Sequence, residues 1–251
     1  TWSGSWVTRV ETVPGQHAPL GQEARHRHSV DTFFEPAMLH YQTIPVTPFQ
    51  QNCALIWDQE TKRGVVIDPG GDVAQIEAAI AEAGIAIDRI LLTHGHMDHA
   101  GGAAELAEAL GNVPIEGPQL ADAFLLEGLV AQGAKYGLEC RPVTPNRWLE
   151  EGDQVDIAGI AFDVLHCPGH TPGHVVFVNA AMGIAFVGDV LFQGSIGRTD
   201  FPYGDTAALL NAIRTKLFPL GDHIQFLCGH GPASSFGAER QGNPFVGDNA
   251  S

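Results

Sequence analysis

Apolar residues recur along this chain at two spacings, and each spacing predicts a different kind of element. Short apolar runs bounded by turn residues predict strands at 39–45, 52–57, 64–67, 87–92, 160–166, 174–179, 184–187 and 224–227. Apolar residues three or four positions apart predict helices after Asp72, near Ala100 and after Asp205. Asp72 with Gln75 has the form of a capping box, and residues 118–150 are predicted to be mostly helical. Strands interleaved with helices favour an α/β (α+β) fold in which helices cover sheets.

The N-terminal residues differ from the rest of the chain. Residues 1–37 are polar and lack apolar periodicity, and the first strand-like segment begins at Met38. We therefore expect 1–37 to be an N-terminal extension or leader, and 38–251 to form a single domain.

Composition excludes several classes of partner. The chain has 251 residues with 13 Lys plus Arg against 29 Asp plus Glu, a net charge of −16. Binding to nucleic acid or to an anionic membrane surface requires clustered bases, so neither partner is expected. No apolar run reaches the roughly 18 residues of a membrane-spanning helix. With no secretory signal pattern and four widely spaced cysteines, the chain is predicted to be cytoplasmic and to act on a small molecule. The sequence predicts no oligomeric state.

Histidine and aspartate recur where predicted strands end in glycine-rich turns. The densest example follows the strand at 87–92 and reads His94-Gly95-His96-Met97-Asp98-His99. Similar turns after later strands carry His170, Asp189 and His230. Imidazole and carboxylate groups gathered in this way are typical of a site for a transition-metal ion.

Four segments, in this order, resemble the metallo-β-lactamase superfamily: THGHMDHAGG at 93–102, HCPGHTPGHVVF at 166–177, GDVLF at 188–192 and CGHGP at 228–232. Within it, the chain is similar to the glyoxalase II (hydroxyacylglutathione hydrolase) group over about residues 38–246, most of all to its short single-domain bacterial members. The resemblance implies a four-layer αββα sandwich with the site at one edge of the two sheets.

The same resemblance implies a set of metal ligands. One ion is expected on His94, His96 and His170, a second on Asp98, His99 and His230, with Asp189 bridging both. Zinc is the first expectation for the two divalent ions, and the same ligands suit iron or manganese. A water shared by two such ions becomes a hydroxide near neutral pH and attacks a carbonyl carbon. Asp98 is expected to act as the catalytic residue that orients this hydroxide.

Three further residues are candidates for supporting the metal site or binding the substrate, and each also has a purely structural interpretation. Asp68 either bonds a ligand histidine or bonds its own turn. His174 either supports the metal site or is a core histidine. Arg198 either contacts an anionic group of the substrate or pins its loop through Asp200 or Asp205.

The leading functional hypothesis is hydrolysis of S-2-hydroxyacylglutathione thioesters. A mononuclear iron persulfide dioxygenase, which shares the fold, is the first alternative, and His174 and His230 favour the hydrolase over it. Promiscuous hydrolysis of lactones, β-lactams or phosphoesters is the second alternative.

Overall fold

Two six-stranded β-sheets form the middle of the computed structural model, which describes residues 2–6 and 39–250. The first sheet contains β1 (Trp2–Trp6), β2 (Leu39–Val46), β3 (Gln51–Asp58), β4 (Arg63–Ile67), β5 (Ala86–Leu91) and β6 (Ile115–Glu116), adjacent in that order. The later strands are β7 (Gln154–Ile157), β8 (Ile160–His166), β9 (Val175–Asn179), β10 (Ile184–Gly188), β11 (Leu191–Phe192), β12 (Ser195–Ile196), β13 (Gln225–Cys228) and β14 (Ser234–Ser235). The second sheet has the order β14-β13-β10-β9-β8-β7, and β11 pairs with β12 in a separate hairpin.

Helices connect the strands and lie outside the sheets. The α-helices are α1 (Val73–Ala83), α2 (Met97–Ala100), α3 (Ala103–Ala109), α4 (Ala123–Glu127), α5 (Leu129–Ala134), α6 (Thr206–Ala212) and α7 (Phe236–Gly242). Two short 3₁₀ turns span Leu120–Asp122 and Phe218–Leu220, and one π-helical turn spans Ile213–Leu217. None of the helices within the described residues is long and apolar enough to cross a membrane.

Three apolar clusters define the layers. The cluster between the sheets includes Ile56, Val65, Phe162 and Phe177. On the outer face of the first sheet, Leu55 and Val66 pack with Ile76, Ile80 and Leu106 of α1 and α3. On the outer face of the second, Val176 and Phe226 pack with Leu209 and Phe236 of α6 and α7. Each sheet is therefore buried on both faces, and the predicted αββα sandwich is confirmed.

Five strands bring their carboxyl ends to one edge of this sandwich. In the first sheet β4 and β5 are parallel neighbours. In the second, β10 and β13 are parallel. Strand β8 runs in the same direction as β10, because both β8 and β10 are antiparallel to β9. Hydrogen bonds from a strand of one sheet to a loop of the other tie the two sheets together at this edge: Asn52 N–H of β3 donates to the Gly229 carbonyl over 2.7 Å, and Val175 N–H of β9 donates to the Thr93 carbonyl over 2.8 Å.

Part of the predicted N-terminal extension pairs with the domain. Strand β1 lies antiparallel to β2, with Trp2 opposite Thr43 and Trp6 opposite Leu39. The expected boundary near Met38 falls outside the described residues.

Two local predictions are wrong. Asp72 does not cap α1: it has a left-handed backbone with φ 49° and makes no side-chain cap, and its Oδ2 accepts a hydrogen bond from Thr47 N–H over 2.7 Å. The carboxylate therefore serves the β2–β3 turn. Helix in the 118–150 region ends at Ala134: Gly137 follows with a left-handed backbone at φ 71°, and Pro142 and Pro145 prevent a further helix after it. Asp205 caps α6 as predicted, accepting from Ala208 N–H over 2.9 Å.

Candidate metal centre

The edge where five strands end collects the seven predicted metal ligands. They are His94, His96, Asp98 and His99 after β5, His170 after β8, Asp189 after β10 and His230 after β13. We call these seven side chains the centre. Residues far apart in sequence meet here because the strands that precede them share a direction, a property of the sheets and not of any local motif.

Three imidazoles form the first group of the centre. His96 Nδ1 lies 3.1 Å from His94 Nε2 and 3.0 Å from His170 Nε2. Such a cluster of ring nitrogens matches a three-histidine metal site. The geometry fits the sequence expectation for this group.

The other ring nitrogen of each of these three histidines contacts a residue that does not belong to the centre. His94 Nδ1 lies 3.0 Å from Thr93 Oγ1, and that hydroxyl donates to Asp68, so His94 Nδ1 carries the proton. His170 Nδ1 donates to the Arg198 carbonyl over 2.8 Å, and His96 Nε2 lies 2.8 Å from the Tyr203 hydroxyl. Outer partners of this kind fix ring orientation and tautomer, which leaves the inner nitrogens with lone pairs.

Asp98, His99 and His230 form the second group. His230 Nε2 lies 3.3 Å from Asp98 Oδ2, and the ligand atoms of all three lie within 4.8 Å of one another. Asp189 stands between the two groups. Its Oδ1 is 3.3 Å from His99 Nε2, and its Oδ2 is 3.6 Å from His170 Nε2 and 3.7 Å from His230 Nε2.

The Asp68 carboxylate accepts hydrogen bonds from a histidine of the centre and from Thr93. Its Oδ1 accepts from Thr93 N–H over 2.8 Å, and its Oδ2 accepts from Thr93 Oγ1 over 2.6 Å and from His99 Nδ1 over 3.0 Å. A third cluster of Asp68, His94 and His99 has the spacing of a metal site. Because these hydrogen bonds already occupy Asp68, we assign it to holding His99.

Two buried atoms of the centre indicate that its residues fit a bound cation. His99 Nε2 and Asp189 Oδ1 have no hydrogen-bond partner among the described residues. When His99 is neutral, its proton lies on Nδ1, and both atoms are then acceptors 3.3 Å apart. Gly229 leaves the space beside them open, since a Cβ there would lie 2.1 Å from Asp189 Oδ1. Two facing acceptors and an open space match the requirements of a bound cation.

The two groups differ in their electrostatics. Burial lowers the pKa of His94 well below its usual value, lowers that of His96 to about 3, and lowers that of His170. These imidazoles are therefore neutral at pH 7, the form that binds metal.

Carboxylates reverse this trend in the second group. Burial opposes the charge of His99 and His230, but neighbouring carboxylates, chiefly Asp189 for His99 and Asp98 for His230, raise the pKa of both. Burial would raise the pKa of Asp189, yet the surrounding imidazoles, His99 foremost, hold it below its usual range. This part of the centre stabilises positive charge, whether from protons or from a metal ion.

His174 lies directly beneath the centre. It is fully buried, its ring stacks on that of His94 at 4.6 Å, and its Nε2 accepts from Asp189 N–H over 3.0 Å. The two interpretations of His174 thus coincide, since a core histidine here also fixes the backbone of Asp189.

Five aromatic residues and one arginine form a rim beside the centre. This rim, which we call the mouth, comprises Phe49, Phe124, Tyr136, Arg198, Phe201 and Tyr203. The Arg198 guanidinium bonds both oxygens of Asp200, at 2.9 and 3.0 Å, and lies 4.9 Å from the centroid of Phe201. Its side chain is 71% exposed, so solvent screens this ion pair and a ligand can compete for it.

Sequence reasoning missed two residues that contact the centre and one that bonds the loops carrying it. Tyr203 bonds His96, Gln51 Nε2 lies 3.4 Å from His99 Nδ1, and Asp122 bonds the loops that carry His96 and His170. None of them lies in a metal-ligand pattern, and only the packing of distant loops brings them to the site.

Comparison with known proteins places these features in context. The family model for the metallo-beta-lactamase superfamily matches residues 46–230. Hydroxyacylglutathione hydrolase GloC of Haemophilus influenzae is 47% identical over 210 residues, which cover 83% of this chain and 98% of that protein.

Two solved structures are similar over most of this chain. The crystal structure of the B3 metallo-beta-lactamase BLEG-1 is 32% identical with a TM-score of 0.75, covering 82% of this chain and 99% of that one. The structure of TTHA1623 in a di-iron-bound form is 37% identical with a TM-score of 0.72, covering 82% of this chain and 100% of that one.

Proposed function

The chain belongs to the metallo-beta-lactamase superfamily and is a hydrolase, and we propose that it hydrolyses S-2-hydroxyacylglutathione thioesters with two divalent metal ions. The observation that carries the proposal is the facing pair His99 Nε2 and Asp189 Oδ1, two buried atoms without a hydrogen-bond partner that are both acceptors when His99 is neutral and so call for a cation at this point of the centre. The likeness to hydroxyacylglutathione hydrolase GloC supports the choice of substrate.

The residues divide into two sets of ligands that share one carboxylate. In this proposal His94, His96 and His170 would hold one ion, Asp98, His99 and His230 would hold the other, and Asp189, which lies near His170 and His230, would be available to both. Bound ions would supply Lewis acidity and lower the pKa of a water molecule. Zinc is proposed first, and the di-iron form of TTHA1623 supports iron as the alternative.

The protein's own groups would prepare the attack on the thioester. Although burial opposes its charge, the hydrogen bond from His230 and other nearby imidazoles hold the pKa of Asp98 below its usual value, so its carboxylate is ionised at neutral pH. Asp98 can therefore accept a hydrogen bond from the attacking water and turn a lone pair towards the carbonyl carbon. Once the water oxygen has bonded to the carbonyl carbon, the C–S bond breaks, and the departing thiolate takes up the proton that the water released, giving glutathione and the hydroxy acid.

Substrate binding is assigned to the mouth. Arg198 can exchange Asp200 for a carboxylate of glutathione because the pair is exposed. The rings of Phe124 and Tyr203, whose centroids lie 5.3 Å apart, offer an apolar wall beside His96.

Metal analysis combined with substrate turnover tests the proposal. We expect two metal equivalents per chain, and hydrolysis of S-lactoylglutathione faster than oxidation of glutathione persulfide by the iron-loaded protein. A stoichiometry that stays at one after metal loading, or activity on persulfide alone, would overturn it.

Hydrolysis of β-lactams is a second candidate. The 32% identity with BLEG-1 over nearly the whole of that chain favours it. A chromogenic cephalosporin assayed beside S-lactoylglutathione separates the two, because the better substrate has the higher kcat/KM.

A further inference from the structure

A buried carboxylate outside the centre connects two of its loops. Asp122 ends the 3₁₀ turn Leu120–Asp122 and is fully buried. Its Oδ2 accepts from Gly95 N–H over 2.9 Å and from Thr171 Oγ1 over 2.8 Å, and its Oδ1 accepts from Gly173 N–H over 2.6 Å. One side chain thus satisfies three donors on two separate loops.

The donors lie directly beside histidines of the first group. Gly95 separates His94 from His96 in the loop that follows β5 of the first sheet. Thr171 follows His170 in the loop between β8 and β9 of the second sheet. Asp122 therefore ties together two loops from different sheets, at the point where their histidines approach each other.

The turn around Asp122 fits tightly between these loops. A Cβ on Gly95 would lie 2.7 Å from Leu125 Cβ, and a Cβ on Gly173 would lie 2.5 Å from the Gln119 carbonyl oxygen. Only glycine allows this approach on each side. The contacts thus depend on the backbone of both loops as well as on the carboxylate.

Stability alone is a poor explanation for this residue. Burial raises the pKa of Asp122, while the three hydrogen bonds counteract it. Asp122 forms no ion pair with the side chains that the structure describes. A buried, ion-unpaired carboxylate costs more to desolvate than a neutral residue of the same shape, so its presence points to a role in fixing geometry.

We infer that Asp122 is a positioning residue that sets the separation of His96 and His170 and thereby prepares the three-histidine group to bind its metal ion. The inference rests on the proposed function, since the spacing matters only if these histidines are ligands. The 3.0 Å separation of His96 Nδ1 from His170 Nε2 is the distance that Asp122 would maintain.

Metal affinity of the full-length protein tests this inference. In Asp122→Asn, the amide nitrogen replaces one acceptor and leaves a backbone N–H of Gly95 or Gly173 unpaired. Zinc affinity is measured for each equivalent by competition with a chromophoric chelator, and the visible spectrum of the cobalt-loaded protein reports ligand geometry.

Asp58→Asn is the matched control. Asp58 is a buried carboxylate that accepts from Thr61 N–H over 2.7 Å, and it lies at the end of β3 away from Gln51 and the centre. This substitution should lower the melting temperature without changing either zinc affinity.

We expect Asp122→Asn to weaken one zinc equivalent by about 10- to 100-fold, as removal of an outer partner does, and to alter the cobalt spectrum. Thr171→Val removes a single hydrogen bond to Asp122 and should weaken the same equivalent less, which keeps the test available if Asp122→Asn folds poorly.

Two results would overturn the inference while leaving the proposed function intact. One is a lower melting temperature with both affinities unchanged in Asp122→Asn and Thr171→Val. The other is an equal loss at both equivalents in these variants and in Asp58→Asn. A wild-type protein that binds no metal would instead overturn the proposed function, and the inference with it.

Discussion

The centre and the mouth of the site lie side by side but are held in different ways. In the centre, His94 and His99 are fully buried and Asp189 is 7% exposed, and hydrogen bonds from outside fix each group. At the mouth, Tyr136 is 58% exposed and the side chain of Arg198 is 71% exposed. Changes in the centre should therefore affect the chemical step, whereas changes at the mouth should affect substrate binding.

Loss of the shared carboxylate should have the largest effect. Asp189→Ala removes the group that faces His99, His170 and His230, so we expect kcat for S-lactoylglutathione to fall by at least about 10²-fold. Steady-state kinetics with excess metal measure this. Turnover close to wild type in the metal-replete variant would show that Asp189 has no part in the reaction.

Asp98→Ala tests the proposed orienting carboxylate. Because it removes a proposed ligand and the proposed hydrogen-bond acceptor for water together, kcat should again fall by at least about 10²-fold. Asp98→Asn is the control for shape, since it keeps an oxygen but not the charge. Equal activity of Asp98→Asn and wild type would argue against the proposed role of the charge.

Asp68→Ala measures how much a residue that bonds a proposed ligand contributes to metal affinity. It leaves Thr93 N–H and His99 Nδ1–H without an acceptor, so metal affinity should fall by about 10- to 100-fold. The free energy of unfolding should also fall, by about 1–3 kcal/mol for the unsatisfied buried donors. Chelator competition and urea titration give the two values, and unchanged metal affinity would limit Asp68 to a structural role.

Arg198→Ala tests the mouth. If its guanidinium contacts glutathione, KM for the thioester should rise by about 3- to 10-fold, the factor expected for one solvent-exposed contact, with kcat little changed. A small neutral ester, which cannot use the contact, is the control substrate. Equal losses on both substrates would instead support the loop-pinning interpretation, in which Asp200 is the true partner.

Removal of residues 1–37 should have the smallest effect on chemistry. The seven proposed ligands all follow residue 37 in the sequence, so a variant that starts at Met38 should keep the metal stoichiometry and the kcat of the full chain. Loss of β1 leaves an edge of β2 unpaired, so a lower melting temperature is compatible with this prediction. Loss of a metal equivalent would contradict the prediction, because it would place a further metal ligand in residues 1–37.

Local patterns predicted the longer strands of both sheets and the densest cluster of ligand-type residues, but not the short strands. The strands at 52–57 and 184–187 agree with β3 and β10 to within a residue or so at each end, because buried strands are continuous apolar runs. Helix prediction failed for 135–150, where prolines interrupt the pattern, and at Asp72, whose carboxylate bonds Thr47, 25 positions earlier.

The sequence by itself determined that strands end in turns bearing histidine and aspartate, and through its resemblance to a family it indicated the sandwich and the seven proposed ligands. Only the tertiary structure decided which nitrogen of each ring faces inward, that Arg198 rests on Asp200, and that Asp122 joins two loops. The physical reason is the separation along the chain over which each kind of interaction acts. Periodicity and capping act within a few residues, whereas Asp122 and Thr171 are separated by 49 positions and meet only once both sheets have packed.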